Sequence, residues 1–340
     1  MEHVPQDRDA TGQVVIFSSG LWRLEGEVAA LTKLAPVRGA RWRAVPSGAI
    51  IAGWGHKPTA AHARAVAAKR KLAYLAVEDG WLRSVRPGPG EPPSSLVLDR
   101  SGIYYDAHAP SDLETMLETA GHLDPTHQAE AEAAIDLLRR HRLSKYNDAP
   151  PDDVLDRDIL TGSAPLVLVA DQTFGDASIA GGLADAESFA RMLQAAVAEN
   201  PGARILVKLH PEVTSGRKRG YLDRIALPET CTVISRRINP WALLERMDKV
   251  YTVSSQLGFE ALMAGRQVVC FGVPFYAGWG LTDDRVGCPR RTNRVNLAKL
   301  VHAAYFRYCR YLDAWRRRET DFFTAADQLV FLRKRYLANP

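Results

Sequence analysis

Residues 249–271 read KVYTVSSQLGFEALMAGRQVVCF. A β-rich apolar run over 249–253 breaks at the pair Ser254-Ser255. A helical pattern follows over 259–264, and a second apolar run occupies 268–271. Strand, helix and strand in so short a span make a crossover unit, whose two strands lie parallel in one sheet. The hydroxyls of Ser254 and Ser255 stand where the helix begins, so exposed N–H groups and two alcohols together suit an anion. Either serine could equally serve as a plain helix cap, which does not compete with phosphate binding. Neither a Walker lysine nor GxGxxG accompanies the turn, which disfavours ATP and dinucleotides.

The same alternation extends outward. Strands are expected over 166–170, 205–209 and 232–234, with helices over 186–199 and 241–247, which completes a doubly wound sheet. In the first half, strands are expected over 14–18, 49–53 and 72–77, a helix over 58–71, and a loop at RPGPGEPPSS, 86–95. Ser111 and Glu114 have capping-box spacing at the start of a helix, and a further helix runs over 127–143. DAPPDD at 148–153 is a linker signal, placing a boundary between 146 and 165. The expected fold is therefore α/β: two Rossmann-like doubly wound domains, over 1–155 and 156–312. A helical tail follows over 313–340. Such domains leave a cleft between the carboxyl ends of two sheets.

Composition limits the function classes. The 340 residues are 46% apolar and 24% charged, which is ordinary for a folded soluble chain. No apolar run approaches the roughly 20 residues that span a bilayer, and the acidic start is unlike a signal peptide, so a cytoplasmic protein is expected. Cys231, Cys270, Cys288 and Cys309 match no close-spaced zinc or redox pattern and read as reduced thiols. The net charge is +5, with arginines concentrated over 285–335. That basic face suits an anionic partner, but no nucleic-acid signature accompanies it, so no nucleic acid is expected. The aromatic, Arg-rich tail could instead rest on an anionic inner-membrane surface or pack back across both domains, and packing is favoured.

Four turns after strands carry the chemistry. Asp171 to Ser178, DQTFGDAS, packs two carboxylates, an amide and two hydroxyls into eight residues at the cleft. A plain Asx-type loop capped by Asp176 or Ser178 is the competing reading. VKLHP brings His210 to a strand end stopped by Pro211, with Arg217, Lys218 and Arg219 close behind. The Ser254-Ser255 turn is the third. In the first half, VEDGWLRS places Glu78, Asp79 and Arg83 on the opposite wall, where an acceptor hydroxyl needs a base; a local Asp79–Arg83 pair is the bland alternative. Asp283-Asp284 reads as structural, and nothing in the sequence requires a metal.

The succession WGHKPTAAHARAVA, EDGWLRS, GIYYD, DQTFGDASI, VKLHPEV, GYL, NPWALLE, TVSSQLGFEALMAG and FGVPFYAGWGLTDDR, running from about residue 51 to 311, closely resembles the KpsC-type capsular-polysaccharide proteins, which are β-Kdo transferases. The resemblance implies a retaining GT-B-like glycosyltransferase using CMP-activated Kdo (3-deoxy-D-manno-oct-2-ulosonic acid), with no further cofactor. Its acceptor would be a glycolipid or a Kdo-terminated chain, within a short β-Kdo linker on a lyso-phosphatidylglycerol anchor. Well-known members carry two such modules in tandem, whereas this chain has room for one.

By that resemblance His210, Pro211, Ser254 and Ser255 would recognise CMP, with Gln172 and Glu260 joining the substrate-binding set. Lys208, Arg217 and Lys218 are weaker candidates for the sugar carboxylate. Retention is most simply two inversions, with Asp176 as the nucleophile and Glu78, ahead of Asp79, as the acceptor base. A non-catalytic carbohydrate-binding or export-coupling protein of the same fold, or a UDP-sugar enzyme, are the alternatives.

Overall fold

The computed structural model describes residues 12–40, 44–88, 90–119, 121–153, 162–214, 216–223 and 225–338. Two sheets organise the chain. The first holds β1 (Gln13–Ile16), β2 (Ala35–Arg38), β3 (Ile50–Trp54), β4 (Tyr74–Asp79) and β5 (Ser95–Asp99), joined late by β12 (Cys309–Leu312) and β13 (Glu319–Thr320), in the order β13-β12-β5-β4-β3-β1-β2. The second holds β6 (Leu166–Ala170), β7 (Arg204–Lys208), β8 (Cys231–Ile234), β9 (Lys249–Thr252), β10 (Gln267–Cys270) and β11 (Asp283–Asp284), in the order β11-β10-β9-β6-β7-β8. The architecture is GT-B-like, as expected.

The second sheet is parallel throughout. Its central strands are apolar and buried on both faces because helices cover each side. From β6 the chain steps outward through β7 and β8, then returns to the other flank of β6 with β9. The strand order therefore reverses between β6 and β9, and in such sheets ligands bind at the carboxyl ends flanking that reversal. The first sheet reverses in the same way between β1 and β3.

Several expectations need correction. The first sheet is mixed: β5 runs antiparallel to β4 and to β12, and β12 antiparallel to β13. Residues 309–312, expected in the second domain, extend the first sheet instead, because Cys309, Tyr311 and Leu312 bury their side chains there. The 86–95 loop ends one residue early, since Ser95 opens β5. Ser111 does cap its helix (Asp112–Glu118), accepting from the Glu114 amide at 3.0 Å. The Glu114 carboxylate does not close a capping box, because it turns to Arg290 (2.9 Å) and Arg291 (3.1 Å).

Within the expected linker, Asp148 pairs with Arg237, and Asp153 with Arg236 at 3.0 Å; residues 154–161 lie outside the described residues. The tail, expected to be helical from residue 313, is a helix only over Phe322–Ala338, which buries Phe322, Ala326 and Leu329, while Glu319–Thr320 form β13. Arg333 of that helix donates to the carbonyls of His141 (2.6 Å) and Arg142 (3.1 Å), at the end of the helix Pro125–His141. Among the described residues, no helix is long and apolar enough to cross a membrane. All four cysteines are free.

Candidate active site

A cleft of about 580 Å³ lies between the sheets and is lined from both. One wall comes from the reversal point of the second sheet. After β6 the chain enters the turn that ends in Asp176, which caps the short helix Ala177–Gly181 by accepting from the Ser178 amide at 2.9 Å. After β9 it enters the Ser254-Ser255 turn. Gln172 ties the two together: its Oε1 accepts from the Ser254 amide (3.0 Å), while its Nε2 donates to Ser254 Oγ (3.2 Å) and Ser178 Oγ (3.3 Å). Ser254 Oγ and Ser178 Oγ are 3.0 Å apart. Gln172 is buried and spends its amide on this brace, so its first task is to hold the hydroxyls.

Ser255 caps the helix Gln256–Met263, accepting from the Leu257 amide at 3.2 Å. That helix can start close to Tyr276 because residue 258 is Gly: a Cβ there would collide with the Tyr276 hydroxyl, which donates to the Ser255 carbonyl at 2.6 Å. The turn is thereby fixed, and the N–H groups of the helix face the cleft rim.

β7 delivers Lys208 and His210 to the same cleft, and the short helix Pro211–Thr214 starts at Pro211, as the expected strand stop implies. The Glu212 amide donates to His210 Nδ1 at 3.1 Å. Burial lowers the imidazole's affinity for a second proton. The neutral ring therefore carries its proton on Nε2, a donor for a phosphate or sugar oxygen. Lys208 donates to the carbonyls of Leu209 and Arg236, both at 3.1 Å, and burial brings its ammonium down to about 8. Lys218 lines the cleft but pairs with Glu212 at 2.8 Å; Arg217 is exposed and does not line it.

The opposite wall is the end of β4. Glu78 is buried, and burial raises its carboxyl affinity for a proton, an effect partly offset by Lys57. The Lys57 ammonium donates to Oε1 at 3.0 Å and lies 2.8 Å from Oε2, which has no aligned hydrogen bond. Gly55, at φ +51°, makes this packing possible, since a Cβ there would strike the Tyr105 hydroxyl and crowd Glu78. Asp79 also lines the cleft and accepts from Arg83 Nε at 3.2 Å. Arg83 lies buried behind this wall, where it also donates to Ser84 Oγ and the Glu91 carbonyl, and it does not line the cleft.

Glu260 lines the cleft from the helix Gln256–Met263, fully buried, with Oε1 accepting from Ser144 Oγ at 2.6 Å and Gln256 Nε2 at 3.3 Å. Burial pushes its pKa up to about 7. Asp171, the other carboxylate of the DQTFGDAS turn, accepts from the Tyr221 and Leu222 amides (3.0 and 3.1 Å) and is raised by burial to about 6. It braces the 220–222 backbone and leaves Asp176 as the exposed carboxylate of that turn.

Several residues that matter were not singled out from sequence. Lys145 reaches the cleft beside the carboxylates; burial disfavours its charge, but Asp79, Tyr146, Glu78 and Asp176 together outweigh that and raise its pKa. Lys57, Trp81, Tyr104 and Phe275 form the rest of the wall, with ring centroids of Trp81 4.6 Å from Tyr104 and 5.0 Å from Phe275. GIYYD and HKP carried a signal in their position after strands; Lys145 carried none. Asp284 accepts from the Gly278 amide (2.8 Å) and Thr282 hydroxyl (2.6 Å), and Asp283 pairs with Arg285 (3.0 Å), so both are engaged structurally.

A ligand-sized cleft between the carboxyl edges of two Rossmann-like sheets, with anion donors on one wall and buried carboxylates on the other, is the site class of two-domain GT-B-like proteins. This chain belongs to the capsule polysaccharide biosynthesis protein family, whose sequence pattern matches residues 49–311. It is 44% identical over 294 residues to the capsule polysaccharide modification protein LipA of Neisseria meningitidis serogroup B, an alignment covering 84% of this chain and 42% of that protein. The chain thus spans less than half the length of this curated relative. Among solved structures it is similar to the β-Kdo 2,4 transferase of Thermosulfurimonas dismutans KpsC, at 44% identity and a TM-score of 0.87, covering 94% of this chain and 98% of that one. The β-Kdo 2,7 transferase of the same KpsC is similar at 25% identity and a TM-score of 0.67, with the same coverage.

Proposed function

We propose that this chain is a Kdo glycosyltransferase that takes Kdo from CMP-Kdo and delivers it, with retention, to a glycolipid or Kdo-terminated acceptor in surface-polysaccharide synthesis. The observation that carries the reading is the 44% identity to a β-Kdo 2,4 transferase across 98% of that chain. The weaker likeness to the 2,7 enzyme favours O4 of the acceptor as the site of attachment.

In this reading the donor's phosphate lies over the start of the helix Gln256–Met263, held by Ser254, Ser255 and the Nε2 proton of His210. The Asp176 carboxylate attacks the anomeric carbon as the bond to the phosphate oxygen breaks. CMP leaves with the electron pair, and an aspartyl-Kdo ester forms. Glu78 or Asp79 then removes the proton from the acceptor hydroxyl, whose oxygen displaces Asp176 and restores the starting configuration. Burial supports Glu78 in that role, because a raised pKa suits a base working near neutrality. Lys145 balances charge among Glu78, Asp79 and Asp176.

Incubation with CMP-Kdo alone, followed by intact-protein mass spectrometry, should show one added Kdo, accumulating most when Glu78 is changed to Gln. Absence of the adduct in both proteins, with transfer intact, would remove the covalent step. Release of CMP also separates an enzyme from a binding protein. We further infer peripheral contact with an anionic bilayer through exposed Trp315 and Phe331, which stand edge to face beside Arg316 to Arg318. Flotation with anionic liposomes, lost in a Trp315→Ala, Phe331→Ala double variant, checks this.

A further inference from the structure

Away from the cleft, His127, Glu130 and His302 converge where the helix Pro125–His141 packs against the segment 297–308. None of the three lines the cleft. Their convergence follows from local structure. His127 and Glu130 stand three residues apart near the start of their helix, so they share one face. The helix Leu297–Val301 delivers the next residue, His302, to that face, and Lys299 anchors it by donating to the Thr119 and Gly121 carbonyls at 2.8 and 3.0 Å. His302 also opens a π-helix, His302–Tyr308, a rare geometry that recurs at functional sites.

The donor set defines the ligand. One candidate ligand atom from each residue lies within 4.8 Å of the other two. His302 Nε2 and Glu130 Oε2 are 3.4 Å apart, long for a hydrogen bond but equal to the edge of a tetrahedron with bonds of about 2.1 Å to a central metal. The His127 and His302 rings lie 4.4 Å apart at 36°, so rotation of the half-exposed His127 side chain can complete a third corner. Asp124, the helix cap, pairs with His127 Nδ1 and leaves Nε2 for the metal. A carboxylate behind a ligating imidazole is the usual support of such sites. His302 is buried and stacks on Phe306 with 5.5 Å between centroids, which fixes its ring. The charges of Glu130 and Asp124 together balance a divalent ion. Two imidazoles disfavour Mg²⁺ and Ca²⁺, which take oxygen ligands, and suit zinc and its first-row neighbours.

We propose that His127, Glu130 and His302 form a zinc-class metal site that clips the helix Pro125–His141 to the segment 297–308. That helix runs on into Ser144, Lys145 and Tyr146, which line the cleft, and the π-helix runs on into β12. The ion therefore ties a cleft wall to the returning strand of the first sheet. Calorimetric titration of the full chain, free of any histidine tag and stripped with EDTA, tests this with zinc chloride and magnesium chloride as probes. One Zn²⁺ should bind per chain, Mg²⁺ should bind at least a hundredfold more weakly, and saturating Zn²⁺ should raise the melting temperature. His127→Ala and Glu130→Gln, at side chains more than a third exposed, should each weaken Zn²⁺ binding at least tenfold and lose most of that rise. Asp124→Asn keeps the helix cap but removes the charge behind His127, and should weaken binding about 10–100-fold. Without metal, all three variants should melt with the metal-free wild type, which certifies their folding. Lack of a stoichiometric Zn²⁺ site would overturn the proposal, as would Mg²⁺ bound as tightly as Zn²⁺. Zn²⁺ binding unchanged within twofold in both His127→Ala and Glu130→Gln would also overturn it, by assigning the ion to other histidines or to the free cysteines.

Discussion

Asp176 caps a helix in the structure and attacks a sugar in the proposed reaction, and one substitution separates these roles. Asn caps as well as Asp, so Asp176→Asn should leave the melting temperature within about 2 °C. Transfer, read as CMP release, should fall at least a thousandfold; near-normal turnover would dismiss Asp176 as the nucleophile. Glu260 offers a test in pH. Its carboxyl is raised from an ordinary 4.5 to about 7, so the native state holds a proton that the unfolded chain releases. Stability is therefore lost as pH climbs through this interval and stays lower above it. Glu260→Gln removes that slope and should leave the protein up to about 3 kcal/mol more stable than wild type at pH 8, by denaturant titration. At this scale the sequence was informative wherever a residue followed a strand: Asp176, His210, Ser254, Glu78 and Asp79 all line the cleft. Arg83 and Arg217 do not line it, and Lys145 was missed, because a long cation's destination depends on contacts far away in the chain.

The elements that hold the walls together are joined by a buried ion cluster. Arg291 is buried against Trp279, with Nη1 donating to the Pro274 and Ala277 carbonyls at 2.6 and 2.7 Å and Nε to Glu114. Glu114→Ala strands this charge without its counter-ion and should cost about 3–5 kcal/mol in chemical denaturation, whereas a surface pair would cost under about 1. A loss below 1 kcal/mol would show that the carbonyls alone suffice for Arg291. Helix Asp112–Glu118 was legible from the Ser111 cap; the destination of Glu114 was not, since its partners lie some 175 residues on. Strands β6, β9 and β10 were readable because burial on both faces leaves them continuously apolar. β2, APVR, and β13, two residues long, lie at sheet edges and lack that signal.

At the scale of the whole molecule, the chain returns at its end to the sheet it began with. β12 and β13 complete the first sheet, and the helix Phe322–Ala338 docks on the end of the helix Pro125–His141 through Arg333. Arg333→Ala removes two hydrogen bonds from a charged donor and should lower stability by about 1–3 kcal/mol in thermal unfolding; an unchanged melting temperature would mean that apolar packing alone secures the tail. Two Rossmann-like units were visible in the alternation of strands and helices. The return strand was not, because pairing between residues about 210 positions apart leaves no local period. The most direct test of the functional account is incubation of the chain with CMP-Kdo and a synthetic Kdo-terminated lipid acceptor, followed by NMR of the product. The account predicts one Kdo attached through O4 of the acceptor with the donor's anomeric configuration retained and one CMP released per transfer; an inverted linkage, or no product, would contradict it.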